Sequence, residues 1–364
     1  MKRRSALLPA LVVVLILAVV AGYLWGRNQP GPKEQNVAQE VPKASSDIPQ
    51  DEPVAQVASQ VSPSVVQVNV RAIQRTPFGP QEAQGVGSGV IYRKDGFVVT
   101  NNHVVEDSNE VNVAFADGST ETGEVVGKDP ATDVAVVRVN RNNLPAAKFG
   151  ESRNVVVGQR AIAVGSPAGF QSTVTAGVIS GLNRELPADV TGGRQDTSLV
   201  GLIQTDAAIS PGNSGGALAD QNGEVIGINT AYLPPAETGA ENIGFAIPSD
   251  TATSVADQLI QNGRATHPYL GISLADLTPE AAQQFGISVD SGALVADVES
   301  GGPADSAGIQ RGDVITALGS TQIKDSGDLV AAIRSYNPGD TVTLTVNRNG
   351  GERNVDVKLG ERSQ

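Results

Sequence analysis

From residue 54 onward the chain breaks into apolar stretches of four to eight residues, rich in Val and Ile and separated by Gly, Asn and Asp. They fall at 65–70, 97–100, 111–115, 134–139, 160–164, 173–179, 199–205 and 225–229. The spacing carries no helical period until residue 249. Short strands with turn punctuation predict an all-β barrel or sandwich and argue against alternating strands and helices. At residue 249 the period changes. Ser249 can cap a helix whose apolar positions are Ala252, Val255, Ala256, Leu259 and Ile260, spaced i, i+3, i+4, i+7, i+8. Gly263 supplies its stop. The all-β unit is therefore expected to span 54–263, with a domain boundary at 264–268.

Residues 268–360 read as a second, mixed α/β unit. Leu270, Ile272 and Leu274 alternate as a strand, and Thr278-Pro279-Glu280 opens a short helix ended by Gly286. A helix over 325–336 places Leu329, Val330 and Ile333 on one side. Strands at 341–347 and 353–358 flank Asn349-Gly350, a hairpin signal.

The N-terminus has a different character. Lys2-Arg3-Arg4 precede an uncharged run over 5–26, whose heart is the wholly apolar 11–20. About 20 apolar residues at 1.5 Å each cross a ~30 Å hydrocarbon core. The basic flank stays cytoplasmic and sends everything after it outward. Tyr23 and Trp25 sit where interfacial aromatics belong. A cleaved signal peptide is the rival reading, with Val19-Val20-Ala21 as a passable cleavage site. The length of the run favours an uncleaved transmembrane helix over 1–27. Residues 28–53 are polar, with several Pro, Gln, Glu and Ser, which is linker composition.

Composition narrows the chemistry. Apolar residues are 40% and charged residues 18%, which excludes a mainly disordered chain. A net charge of −13, from 39 acids and 26 bases, argues against a general nucleic-acid partner. The absence of cysteine removes disulfides, thiol catalysis and thiolate-bound zinc. No metal site and no cofactor is expected. Only two histidines exist, His103 and His267, so imidazole chemistry must use one of them.

Gly212-Asn213-Ser214-Gly215-Gly216 places a serine among glycines. Glycine permits a tight turn whose backbone N–H groups, those of Gly212, Asn213 and Ser214, converge on one spot. Such a spot can stabilise an oxyanion, at ~3 kcal/mol per donor. A nucleophilic serine needs a base. His103, just after the strand at 97–100, lies within the serine's own unit, whereas His267 lies at the boundary beside Pro268. The base needs a carboxylate to fix its tautomer. Asp133, heading the apolar run 134–137, competes for that role with Asp206 in Gln204-Thr205-Asp206-Ala207. A Gly-x-Ser-x-Gly motif also suits the nucleophile elbow of an α/β-hydrolase. That fold needs alternating strands and helices and the order Ser, Asp, His, and after Ser214 the only histidine is His267, at the boundary. The order His103, Asp133, Ser214 is that of chymotrypsin-type proteases, which are double β-barrels.

At this point the sequence resembles a known family. Thr100-Asn101-Asn102-His103-Val104-Val105 looks like its histidine motif, 133–139 its aspartate motif and 212–218 its serine motif. Gly244-Phe245-Ala246-Ile247-Pro248 resembles the strand closing its protease domain. Tyr269-Leu270-Gly271-Ile272 resembles the carboxylate-binding loop that opens a PDZ domain. The chain is similar, over about 54–360, to the HtrA (Deg) serine proteases in their membrane-anchored form with one PDZ domain. Ser210-Pro211 departs from many members and bears on the shape of the substrate pocket.

The resemblance implies a chymotrypsin-like double β-barrel followed by an α/β PDZ domain. It implies homotrimers built through the protease domains, and ATP-independent cleavage of unfolded or damaged proteins outside the cytoplasm. It marks 207–213 as an activation loop carrying the oxyanion hole, and Ala231, Tyr232 and Ile243 as the neighbourhood of the primary specificity pocket. No acid stands there, so a medium apolar side chain is the implied preference. The PDZ domain would take C-terminal peptides as an added strand, with N–H groups near Tyr269, Leu270 and Gly271 holding the terminal carboxylate and Ile272 lining the groove. Two other functions remain open: cleavage of one signalling substrate, and a binding scaffold with dormant catalysis.

Overall fold

The computed structural model describes residues 52–362, except 77–78, 167–172, 187–197, 234–241, 276, 278–281, 284–286 and 288. The expected anchor, all but the end of the linker, and all but residues 282–283 of the helix expected to open at Thr278 lie outside the described residues. Among the described residues no helix is long and apolar enough to cross a membrane.

The described chain opens with α1 (Pro53–Val61). This helix corrects the expectation that no helical segment precedes residue 249. Its signal is Val54, Val57 and Val61 at i, i+3 and i+7, behind a proline in its first turn. Val57 and Val61 are buried in the main core.

Six strands then close a first barrel: β1 (Val65–Thr76), β2 (Gly79–Arg93), β3 (Phe97–Asn101), β4 (Glu110–Ala114), β5 (Thr120–Asp129) and β6 (Val134–Val139). The one-turn helix α2 (Asn102–Val105) follows β3 directly. Around the barrel the order is β1-β2-β3-β6-β5-β4. A second barrel is formed by β7 (Arg160–Gly165), β8 (Thr173–Leu186), β9 (Leu199–Thr205), β10 (Ala217–Ala219), β11 (Val225–Leu233) and β12 (Ile243–Pro248), in the order β10-β11-β12-β9-β8-β7.

The continuous apolar runs have a physical reason. Side chains alternate faces along a strand. In β6, Ala135, Val137 and Val139 fill the interior of barrel one, while Val134 and Val136 join the core shared with barrel two. In β7, Ala161 and Ala163 fill barrel two, while Ile162 and Val164 face that same shared core. Both faces are therefore buried, and each fully buried Val or Ile contributes ~1.5–3 kcal/mol. The seam between the barrels is where the motif residues meet.

Helix α3 (Ser249–Asn262) covers the seam with Ala252, Val255, Ala256 and Leu259. Ser249 does not cap it: Pro248 is the N-cap and the Ser249 hydroxyl donates to the carbonyl of Gly150. Gly263 ends it at φ 72°, its amide donating to Leu259.

The last unit has β13 (His267–Tyr269), β14 (Ile272–Ala275), β15 (Ala293–Val298), α4 (Pro303–Ser306), β16 (Val314–Leu318), β17 (Thr321–Gln322), α5 (Ser326–Ile333), β18 (Thr341–Arg348), β19 (Gly351–Lys358) and β20 (Gly360–Arg362). Its sheet runs β14-β15-β16-β18-β19, with β17 on β16, and β13 pairs with β20. Asn349 and Gly350 turn the β18–β19 hairpin at φ 52° and 78°, as a two-residue loop of that type requires. The strand expected through Leu270 is broken there. Gly271 takes φ 75°, and Leu270 turns into the core of this unit, 4% exposed.

Candidate active site

The three motif residues lie on connections at the barrel seam. His103 is in α2, directly after β3. Asp133 occupies the tight β5–β6 turn at φ 58°, unusual for a residue with a Cβ. Ser214 sits in the glycine-rich turn before β10. Nδ1 of His103 is 2.8 Å from Oδ2 and 3.1 Å from Oδ1 of Asp133. The His103 amide donates to the same carboxylate at 3.0 Å. An ionised carboxylate only accepts, so Nδ1 carries the proton and Nε2 is left as the basic nitrogen. The Asp133 side chain is 1% exposed, and that of His103 17%. Burial shields the pair from water while leaving the imidazole within reach of a substrate.

Asp206 is elsewhere. Its Oδ1 accepts the amide of Val178 at 2.7 Å, tying it to β8.

The Ser214 hydroxyl donates to the carbonyl of Thr230, 3.2 Å away, and not to His103. Thr230 also donates its own hydroxyl to Oδ2 of Asp133 at 2.5 Å. It is a buried polar residue in β11 that the apolar strand pattern conceals.

The serine turn is fixed by its backbone. Gly212 takes φ 97° and Gly215 φ 84°. A Cβ on Gly215 would stand 2.1 Å from the carbonyl oxygen of Ser88, so only glycine fits. Ser88 is a second residue that sequence reasoning missed. Its amide donates to Ser214 O at 2.7 Å, and its hydroxyl donates to Gly212 O at 2.6 Å while accepting the Ser166 amide. Its only sequence signal is its place in Gly87-Ser88-Gly89. The Asn213 amide donates to Ser210 O at 2.9 Å. The Asn213 amide, one of the three expected oxyanion donors, is thus engaged within its own turn.

A cavity of about 460 Å³ adjoins His103 and Ser214, walled by Val70, Val86, Val104 and Pro211, with Glu106 and Asp107 on its lining. Ala231 and Tyr232 follow Thr230 on β11 and pair with Phe245 and Gly244; Ile243 begins β12 opposite Leu233. The three lie on one hairpin next to the serine turn.

In the last unit, Tyr269 ends β13, Gly271 makes the bend and Ile272 begins β14. Asp325 caps α5 by accepting the Asp328 amide at 2.8 Å. The same helix meets barrel two. Nδ2 of Asn183 donates to Asp328 at 2.6 Å, and Nη1 of Arg334 donates to the Val200 carbonyl in β9 at 2.7 Å. Burial at this contact pulls the Arg334 guanidinium down to about 10. Among the described residues no cluster of three or more His, Cys, Asp or Glu is placed to hold a metal ion.

Comparison with known proteins identifies the two folded units. Residues 87–228 match the trypsin-like peptidase domain and 268–359 match the PDZ domain. The chain is 36% identical to the serine protease Do-like HtrB of Bacillus subtilis, over 100% of this chain and 84% of that protein. It is 42% identical to a probable periplasmic serine endoprotease, DegP-like, of Pseudomonas putida, over 79% of this chain but only 58% of the relative. Among solved structures it is similar to the HtrA-type protease AlgW with a tripeptide, at 35% identity and TM-score 0.68, covering 85% of this chain and 98% of that one. AlgW with a decapeptide is similar at 33% identity and TM-score 0.65, covering 85% and 99%. A serine endopeptidase by these likenesses, the chain belongs to the HtrA/Deg family, with a trypsin-like peptidase domain followed by one PDZ domain.

Proposed function

We propose that Ser214, His103 and Asp133 are the catalytic triad of this endopeptidase. The observation that carries the reading is the buried Asp133 carboxylate 2.8 Å from Nδ1 of His103, which leaves Nε2 basic in a residue that lines the same cavity as Ser214. Nε2 takes the Ser214 proton as the hydroxyl oxygen attacks the scissile carbonyl, and returns it to the leaving amine. The amides of Gly212, Asn213 and Ser214 receive the oxyanion once the turn takes its active form, a term of ~3 kcal/mol per donor. The primary pocket at Ala231, Tyr232 and Ile243 has no acid and takes a medium apolar side chain.

The substrates are unfolded or damaged proteins, cut without ATP outside the cytoplasm. Support comes from the relatives named periplasmic endoproteases and from Lys2-Arg3-Arg4 ahead of the apolar run. The protein works as a homotrimer held at the membrane by residues 1–27.

The PDZ unit binds C-terminal peptides along β14 and α5 by strand addition. AlgW is named with a tripeptide and with a decapeptide. Peptide binding shifts the loop at 207–213 from a resting to an active form. The resting form is the one in which the Ser214 hydroxyl donates to Thr230 rather than to His103. A ligand moves this balance only through unequal affinity for the two forms. Strand β9 offers the route, since Val200 meets Arg334 and the strand ends at Thr205, beside the loop.

Casein digestion by the wild type and by Ser214→Ala tests the reading. The wild type degrades casein and the variant, folded as before, does not. Equal digestion would exclude Ser214 as nucleophile, and no digestion by either would favour the binding scaffold.

A further inference from the structure

The second histidine is also paired with a buried carboxylate. Asp129 ends β5, and the turn Pro130-Ala131-Thr132 leads from it to Asp133. The Asp129 side chain is fully buried. From inside the turn it accepts the hydroxyl of Thr132, the residue immediately before Asp133. From outside it faces Nε2 of His267, 3.0 Å from both carboxylate oxygens. A carboxylate accepts only, so Nε2 of His267 carries the proton. Arg334, at the end of α5, is near enough to act on Asp129 electrostatically.

His267 is itself held in place. It is the first residue of β13 and pairs with Arg362 of β20. The preceding Thr266 amide donates to Gln258 of α3 at 3.0 Å. The imidazole therefore reaches Asp129 from a fixed point at the start of the PDZ unit.

The turn needs such a brace. Asp133 has φ 58°, a conformation that persists only where its surroundings over-determine it. The turn's own backbone bond, from the Asp133 amide to Pro130 O, is long at 3.4 Å. A buried carboxylate that loses a donor becomes costly and pulls its neighbours toward a new arrangement.

We infer that His267, acting through Asp129 and Thr132, is a positioning residue that holds the Asp133 carboxylate in register with His103. The inference rests on Asp133 being the triad carboxylate. Neither Asp129 nor His267 lines the cavity beside His103 and Ser214, so neither touches the peptide at the reacting bond. Loss of the brace therefore acts on kcat and spares KM.

The test uses the full chain and a short chromogenic peptide. His267→Phe keeps the ring and deletes the donor; His267→Gln puts an amide N–H in place of Nε2. Thr132→Val keeps the shape and cuts the link to the turn. His267→Phe lowers kcat by ~10–100-fold with KM unchanged, the scale set by a misplacement of about 1 Å. His267→Gln recovers most of that loss. Thr132→Val lowers kcat in the same way, and combining it with His267→Phe adds little further loss. Wild-type kcat in Thr132→Val, or a kcat loss in His267→Phe that His267→Gln does not recover, overturns the inference. If His267→Phe fails to fold, Thr132→Val and His267→Gln still decide: the first must lower kcat and the second must stay near wild type. Asp133→Asn separates the two levels. Near wild-type activity there overturns the triad, whereas inactive Asp133→Asn beside fully active Thr132→Val overturns the brace alone.

Discussion

Nδ1 of His103 and Oδ2 of Asp133 are 2.8 Å apart, with the carboxylate buried and the imidazole partly open to solvent. The Thr230 hydroxyl and the His103 amide hold the same carboxylate from two other directions. Asp133→Asn would keep the shape but place an amide where an acceptor is needed, favouring the wrong tautomer of His103. The expected loss in kcat is ~10⁴-fold, with the fold intact by circular dichroism. A loss below about tenfold would mean that His103 does not depend on this carboxylate.

Gly215 is predicted to tolerate no side chain. At φ 84° alanine carries ~1–3 kcal/mol of backbone strain. Its Cβ would also meet the Ser88 carbonyl oxygen at 2.1 Å and the Thr100 hydroxyl at 2.5 Å. Gly215→Ala should lower the urea midpoint and abolish peptide hydrolysis together. A variant as stable and active as the wild type would show that the turn has another conformation available.

Regulation through the PDZ unit predicts that hydrophobic C-terminal peptides accelerate cleavage of a short chromogenic peptide. A coupling of ~1–3 kcal/mol corresponds to roughly 5–150-fold. Arg334→Met removes the bond to the Val200 carbonyl and should shrink that acceleration. If the peptides slow casein cleavage by competition and leave the chromogenic peptide untouched, the PDZ unit is only a tether.

Much of this arrangement is legible in the sequence. Strands such as β6 and β7 read as apolar runs because both their faces are buried, and the order of His103, Asp133 and Ser214 selects the fold class. Other parts are hidden for physical reasons. Strand β5 is half-exposed and reads as polar, Thr120-Glu121-Thr122-Gly123-Glu124. Strand β2 is rich in glycine because its neighbours fill the space: a Cβ on Gly87 would meet Val104 at 2.7 Å, and one on Gly89 would meet Val98 at 2.5 Å. Ser88 and Thr230 hold the site through hydrogen bonds to residues distant in the chain, which no local pattern records. The pairing of His267 with Asp129 spans 138 positions and is invisible for the same reason.

Acid should weaken the fold partly through Asp117. Arg141, first, and then Ser119 hold its carboxyl well below the ordinary carboxylate value. A carboxylate whose value is depressed by folding adds stability above its unfolded value, and that stability is lost as pH falls. The contribution is therefore present at neutral pH and fades below 3.8. Asp117→Asn should show a small deficit by urea unfolding at about pH 7, smaller still at about pH 3 because the pair is solvent-exposed and the wild type has by then lost part of the same term. A deficit that grows on acidification contradicts this sign.

The central claim is that Ser214 is activated as a nucleophile by His103. Labelling of the full chain with a fluorophosphonate, followed by mass spectrometry, tests it most directly. The account predicts one adduct, on Ser214, that is lost in His103→Ala. An adduct on another serine, or undiminished labelling of Ser214 in His103→Ala, would contradict it.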